Sequence, residues 1–410
     1  MNRISQRSRR TLFAVVFASV AALLIVLGAK QVVKAQDAAS LNLVYVESNI
    51  TTTGGNTVLG FSNDGRGNLT PLPGSPYATA GTGVASGNGN AQFDADQEVV
   101  TNPEGTFLYA VDGHSNDVAE FTINSDGSLT ALGGSPVPSG GQDPVSLGFK
   151  DNAFGGGASV MVVVNKNSDP NQTGGTPNYT TFDVSSAGVM TMNPGSTFNL
   201  AAGTSPAQAL VFPSQNKFFG IEFMSQKVTT YLINKNGTLT SVSSTTPPGA
   251  NAVVLGGAID PKYKNTLYVG MPGQNQVDAF TYNSLGQLTF VTSASNPGVA
   301  VCWLLFNSAA SRLYTSDSAS GTVTVYNVSA PGHPTETQHF TLATVNGSMA
   351  EPTNLVFDTT GHFIYVVDAI NAALHVLQVS STGAVSEPNT PVSLGLPAGT
   401  VPMGLAVVKK

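Results

Sequence analysis

Between Phe107 and Thr130 the chain alternates short β-rich apolar runs with polar breaks. Leu108 to Val111 and Val118 to Ile123 are the apolar runs, Asp112 to Asp117 is a polar gap, and Ser125-Asp126-Gly127 signals a tight turn. This reads as strand, turn, strand, turn, strand, and the rest of the sequence repeats it. An aromatic or large apolar residue on the later of the two runs is followed six residues on by Gly in seven places: Phe61/Gly67, Phe121/Gly127, Phe182/Gly188, Tyr231/Gly237, Phe280/Gly286, Tyr326/Gly332 and Leu377/Gly383. Glycine is the residue that enters a positive-φ turn without steric cost, while the apolar partner anchors its strand in a core. The earlier run keeps its distance in five copies, with Tyr109 to Phe121, Phe219 to Tyr231, Tyr268 to Phe280, Tyr314 to Tyr326 and Tyr365 to Leu377 each 12 apart. Two copies are longer, Tyr45 to Phe61 at 16 and Val162 to Phe182 at 20, so their extra residues must bulge from a turn.

A further strand precedes each pair, as in Pro144 to Phe149, Pro206 to Phe212 and Pro352 to Phe357. Four antiparallel strands repeated seven times, at an average near 54 residues, predict an all-β, seven-bladed propeller over residues 36–410. A β-helix wants shorter repeats, and tandem sandwiches want about 90 to 100 residues per copy. Leu41 to Val46 starts at the second strand of a blade, whereas Pro402 to Val408 ends on an inner one, so the C-terminal strand is expected to complete the first blade. Such closure removes the exposed edges at both ends of the chain.

Residues 1–35 read as a targeting segment. Arg3, Arg7, Arg9 and Arg10 precede the uncharged stretch Thr11 to Ala29, and Val33-Lys34-Ala35 offers a small-x-small cleavage site. Ser8-Arg9-Arg10-Thr11-Leu12-Phe13 also resembles a twin-arginine signal. The expectation is export to the periplasm or exterior with cleavage after Ala35. The alternative is an uncleaved N-terminal membrane anchor, about 20 apolar residues being enough to span a bilayer. Sequencing the N-terminus of the mature chain decides between the two. Removing the leader leaves 11 Lys and Arg against 24 Asp and Glu, a net of −13, which excludes nucleic acid and anionic membrane surfaces as partners. Charged residues are only 10% of the chain, as suits an exported β protein rich in turns. A monomer is expected. The single Cys302, beside the only Trp, Trp303, allows no internal disulfide and reads as a buried thiol.

Asn102-Pro103-Glu104-Gly105-Thr106-Phe107-Leu108-Tyr109-Ala110-Val111-Asp112 resembles the seven-bladed lactonase family. So do Asp260-Pro261 before Leu267-Tyr268-Val269 and Asp358-Thr359-Thr360-Gly361 before Ile364-Tyr365-Val366-Val367-Asp368. That group includes 6-phosphogluconolactonase-like and muconate-lactonising enzymes and is related to YVTN-repeat propellers. The resemblance spans the mature chain and implies lactone hydrolysis. Its enzymes often open the inner strands with Pro-His, whereas the equivalents here are Pro144-Val145, Pro206-Ala207, Pro352-Thr353 and Pro402-Met403. The resemblance therefore transfers no catalytic residue.

Candidate chemistry must come from the face where second and third strands connect and where the chain enters each inner strand. Asp112, Asn165, Glu222, Asp317 and Asp368 end the second strands there at matching positions. They read either as a ring binding a cation or polyol, or as side chains that cap their own hairpins. Among five histidines only His114 falls in such a turn. It is the candidate general base, with Lys166 and Lys227 as oxyanion stabilisers. Asp96, Glu98, Asp143 and Glu351, near inner-strand starts, form a candidate site for a divalent cation such as calcium, as in calcium-type propeller lactonases. The mature chain keeps only Arg66 and Arg312, both expected away from this face, which points to a lactone or sugar of low charge rather than a phosphorylated one. No G-x-S-x-G, H-E-x-x-H, P-loop or dinucleotide fingerprint occurs. The insertions Ser48 to Asn56 and Asn165 to Asn178, with the polar connection Ser75 to Gly89, are the places for specificity. Two readings follow: a lactonase of neutral substrates, or a non-catalytic propeller binding a glycan or a protein partner.

Overall fold

The structure, a computed structural model, describes residues 42–85 and 95–410. The segment expected to be a targeting signal, residues 1–35, and residues 86–94 of the first interblade connection lie outside the described residues. The described chain forms seven antiparallel sheets, with one short 3-10 turn at Ser318–Ser320. The inner strands of blades 2 to 7 are Val99–Thr101, Pro144–Lys150, Pro206–Val211, Leu255–Ile259, Val301–Phe306 and Pro352–Phe357. Blade 1 is assembled from both ends: Asn42–Glu47 pairs on one side with Thr57–Asn63 and on the other with the C-terminal strand Met403–Lys409. The predicted closure is therefore present. It ties Asn42 to Lys409 through a continuous ladder.

Register is the same in all seven blades. Each third-strand anchor pairs with the residue one before the expected second-strand partner, as in Val44↔Phe61, Leu108↔Phe121, Met161↔Phe182, Phe218↔Tyr231, Leu267↔Phe280, Leu313↔Tyr326 and Ile364↔Leu377. The longer spacings of blades 1 and 3 are absorbed in their turns. Period-two alternation demands this, because a one-residue slip would send the whole apolar set to the wrong face.

The blades are joined at the repeated glycine. All seven turn glycines have positive φ, between 74° at Gly332 and 87° at Gly67. A side chain of the preceding blade then meets each turn. Tyr45 donates to Gly127 O (2.7 Å), Tyr109 to Gly188 O (2.8 Å), Thr230 to Gly286 O (2.7 Å) and Tyr314 to Gly383 O (2.8 Å), and Thr181 donates to Gly237 O. Gly332 N donates to Tyr268 (2.9 Å). The closing junction uses Asn63, which donates to Tyr365 of blade 7 (2.6 Å) and accepts from Gly67 N (3.1 Å). There is no room for a Cβ. One built at Gly188 would lie 2.4 Å from Phe107, one at Gly67 2.9 Å from Phe363, and one at Gly127 2.8 Å from Leu43.

Gly188→Ala combines a left-handed residue with an interblade clash, and it should destabilise by about 2–4 kcal/mol. Tyr109→Phe leaves the Gly188 carbonyl without its partner and should cost about 1–3 kcal/mol. Thermal unfolding of both variants beside Gly195→Ala, whose positive-φ glycine has no atom within 4 Å of its Cβ position, measures this. Equal melting temperatures for Gly188→Ala and Gly195→Ala would contradict the clamp.

Candidate functional site

The face formed by the second-to-third turns and the entries into the inner strands carries the sequence candidates, and its best-built region lies over blades 2 and 3. The turn after Asp112 is held from one side by the connection from blade 1: His114 N and Ser115 N donate to Thr82 O (3.0 and 3.3 Å), and Thr82 N donates to Ser115 Oγ (2.9 Å). On the other side the blade 3 insertion folds onto it. Asp169 Oδ2 lies 2.6 Å from His114 Nδ1, Gln172 donates to His114 O, and Asn116 donates to Gln172 Oε1 (2.9 Å). The insertion is in turn pinned to the entry of blade 3, where Ser168 N and Oγ donate to Asp143 Oδ2 (3.0 and 2.7 Å) and Asp143 N donates to Asn116 Oδ1 (2.7 Å). Asn116, Asp143 and Asn167 all hold positive φ, at 63°, 56° and 56°. Left-handed non-glycine residues cost energy and persist only where surrounding bonds over-determine them.

The His114 side chain is 41% exposed and that of Asp169 only 1%. A carboxylate on Nδ1 fixes the tautomer and leaves Nε2 as the imidazole's working nitrogen. The sequence pointed to His114 but not to its partner. Asp169 and Gln172 were visible only as members of an insertion peculiar to the third blade, and that peculiarity was the available signal.

The proposed trio does not converge. The Lys166 ammonium lies 5.9 Å from the centre of the Phe223 ring of blade 4, in a buried position where it acts electrostatically on Glu98 and Asp143. Lys227 is exposed at the start of the blade 4 third strand, beside Glu222 in the ladder. The four candidate cation ligands also divide. Asp96 and Glu98 share the Asn354 amide (2.9 and 3.3 Å), Asp143 holds Ser168, and Glu351 sits beside Asp368, to which its N donates (3.0 Å). Among the described residues, no three His, Cys, Asp or Glu side chains are grouped so as to hold a metal ion.

The second-strand carboxylates are tied into the fold, with partners other than the turn amides expected. Asp112 accepts from Asn56 (2.8 Å) and Thr79 (2.7 Å) of blade 1, Glu222 from Tyr231 (2.8 Å), and Asp317 from Asn296, Thr315, Thr322 and Thr324. Asn165 donates to Asn178 Oδ1 (2.9 Å). Only Asp368 bonds a turn amide, that of Asn371 (3.3 Å), and it also meets a buried histidine. His375 lies between Glu387 (2.6 Å) and Asp368 (3.4 Å), fully enclosed.

The chain is thus a closed ring of seven four-stranded blades, with its candidate residues on the turns of one face. The chain belongs to the family described as lactonase, 7-bladed beta-propeller, which matches residues 174–342 and, overlapping, 266–402. Among solved structures it is similar to the periplasmic gluconolactonase PpgL of Pseudomonas aeruginosa, at 15% identity and a TM-score of 0.71, covering 90% of this chain and 99% of that one. It is also similar to a putative 6-phosphogluconolactonase of Bacteroides fragilis, at 15% identity and a TM-score of 0.69, covering 91% and 99% of the two chains. A putative 6-phosphogluconolactonase of Bacteroides uniformis gives 15% identity and a TM-score of 0.67 over 90% and 99%. At this identity the likeness is one of fold. No curated protein sequence matches the chain.

Burial dominates the electrostatics of this face. It pushes Asp112 up to about 7 and Asp96, Asp143 and Asp317 up to about 6, against their hydrogen bonds, and it raises Glu47 and Glu98 well above the carboxylate range. His375 behaves oppositely. Burial favours its neutral form, but bonds to Asp368 and Glu387 outweigh that and raise it to about 9. A carboxyl raised in the folded state holds more protons than the unfolded chain between its ordinary value and its raised one, so its contribution fades as pH rises across about 4 to 7. The raised imidazole contributes fully below about 6.5 and fades as pH rises towards 9. Thermal unfolding between pH 5 and 9 should therefore show a melting temperature that falls with pH. Asp112→Asn should flatten the lower part of that fall. A rise with pH would contradict these assignments.

Proposed function

We propose that the protein is a lactone hydrolase whose general base is His114, held by Asp169, and whose substrate is a neutral lactone or sugar lactone. The observation that supports this reading is the pairing of a half-exposed imidazole with a fully buried carboxylate, built by two blades and braced by strained backbone. His114 Nε2 takes a proton from water as the oxygen attacks the lactone carbonyl. The tetrahedral oxyanion then collapses, the ring C–O bond breaks, and the imidazolium returns the proton to the departing alkoxide, giving a hydroxy acid. Asp169 is a positioning residue that stabilises the transient imidazolium. Lys227, on blade 4 beside Glu222, takes no part in this step. The buried Lys166 serves Glu98 and Asp143 instead.

A substrate of low charge fits the placement of the arginines. Arg66 is exposed in the turn between third and outer strands of blade 1, and Arg312 donates to Ser311 O at the far end of its second strand, so neither can clamp a carboxylate or phosphate on the His114 face. Family membership supports the reaction class. The acidic mature chain disfavours anionic substrates further.

Hydrolysis of neutral and acidic lactones, followed by pH-stat with calcium and after chelation, tests the proposal. Turnover of neutral lactones that resists chelation is expected. His114→Gln should lose ~10²–10⁴-fold in kcat, and Asp169→Asn roughly tenfold or more in kcat with KM little changed. Full activity in His114→Gln, or activity abolished by chelation, would reject the assignment. Turnover of no member would leave the fold as a binding propeller.

A further inference from the structure

The axis of the ring holds a cavity of about 670 Å³ that the proposed chemistry does not use. Its length is walled by the inner strands, which offer half-buried Val100, Phe149, Leu210, Leu305, Val356 and Val407 to the space. Exposed Pro103 and Pro261, in turns on the face opposite His114, mark its mouth. The other end is closed by residues 95–98, which run across the ring: Asp96 N donates to Ala207 O of blade 4 (3.3 Å), and Leu147 N of blade 3 donates to Gln97 O (3.0 Å).

The charge on the described lining is confined to that closed end, while Thr101 and Asn102 add polar groups nearer the mouth. Asp96 accepts from Asn354 of blade 7 (2.9 Å) and Gln208 of blade 4 (3.1 Å), and Gln208 also meets Gln97 Oε1 (3.3 Å) and Gly257 O (3.4 Å). The Asn354 and Gln208 donors are thus spent on protein oxygens, and the Asp96 carboxylate is the charged acceptor among them. Glu98, itself 3% exposed, shares the Asn354 amide through Oε2, while its Oε1 has no hydrogen-bond partner among the described residues. Among the described residues that line the cavity, only Asp96 is ionisable. Clefts of 300–1,000 Å³ with apolar walls and a few convergent polar groups are the usual form of a small-molecule site. Here the charged group, Asp96, lies at the closed end and calls for a partner that brings both a donor and positive charge.

We propose that the axial cavity binds a linear aliphatic primary amine, entering from the face opposite His114, with its ammonium on Asp96 and its alkyl chain along the inner strands. A fatty acid would face the same apolar walls but bring a carboxylate to a carboxylate. An aliphatic alcohol could donate one hydrogen bond without the charge. A buried carboxylate gains most from a partner that is both cationic and a donor.

Isothermal titration of the full mature protein with n-octylamine, butylamine, octanol and octanoate tests this. Octylamine should bind more tightly than octanol, and octanoate should give no heat. Within the amine series affinity should rise about three- to fourfold per methylene until the bore is filled. Asp96→Asn should weaken octylamine at least tenfold and octanol little, and His114→Gln should bind octylamine as the parent does, so the outcome is independent of the hydrolase reading. Should Asp96→Asn fail to fold, the chain-length series on the parent still decides. Affinity independent of chain length, octanoate binding equal to octylamine, or displacement of the amine by calcium at stoichiometric amounts would overturn the proposal.

Discussion

Every junction between blades depends on one contact: a glycine turn of positive φ pressed against the preceding blade, hydrogen bonded to it directly at six junctions and through Asn63 at the closing one. The chain closes a ring of seven sheets only if neighbouring blades keep the same spacing and tilt all the way round. A turn carbonyl bonded by Tyr45, Tyr109, Thr181, Thr230 or Tyr314 fixes that spacing at a point where no side chain fits between. The donor changes along the chain, and at blade 6 the turn donates instead. The geometry does not change, because the backbone of the glycine turn supplies it. Closure by Met403–Lys409 then makes the ring finite, and Asn63 with Tyr365 seals it.

A ring held at its far-face turns leaves the near-face turns free to differ, and there the site is found. His114 stands on a turn of ordinary length. The bond to Thr82 from the connection before its blade recurs at blade 4, where Met224 N and Ser225 N donate to Thr204 O; what makes the His114 turn unusual is that Asp169 and Gln172 from the insertion after it reach over it. Positive φ at Asn116 and Asp143 belongs to the repeat, recurring at Gln226, Asn275 and Ala372 and at Ser205 and Ala300, whereas that of Asn167 lies in the insertion. Repetition supplies the scaffold, and departures from repetition supply the candidate chemistry. The carboxylates are tied to the scaffold, Glu222 and Asp317 by bonds within their own blades and Asp112 by bonds from Asn56 and Thr79 of blade 1.

The blade architecture was legible because it rests on local signals repeated seven times. The Gly offset, the 12-residue spacing and the split first blade each follow from strand period and turn sterics, and all reappear in the observed register. The site was legible only in part. His114 could be singled out as the one histidine on a near-face turn, but Asp169 lies 55 residues away and meets it only because the insertion folds back across a blade boundary. Spacing carries no trace of such a contact. Lys166 shows the reverse: its position in a near-face turn was read correctly, yet its side chain runs inward to a buried acidic region. The hairpin caps expected of Asp112 and Asp317 failed for a related reason, as side-chain donors on neighbouring strands outcompete turn amides within a crowded sheet edge. Asp96 likewise meets Asn354, 258 residues away, only because ring closure brings the blades on either side of blade 1 together at the axis.

The central claim is that a lactone binds over blades 2 and 3 with its carbonyl at His114. A crystal structure of the mature protein soaked with a hydrolysis-resistant lactam analogue of its best substrate tests it most directly. The account predicts difference density with the lactam carbonyl region next to His114 Nε2, between the blade 2 turn and the Asp169 insertion. Density over another blade, with the His114 turn empty, would contradict it.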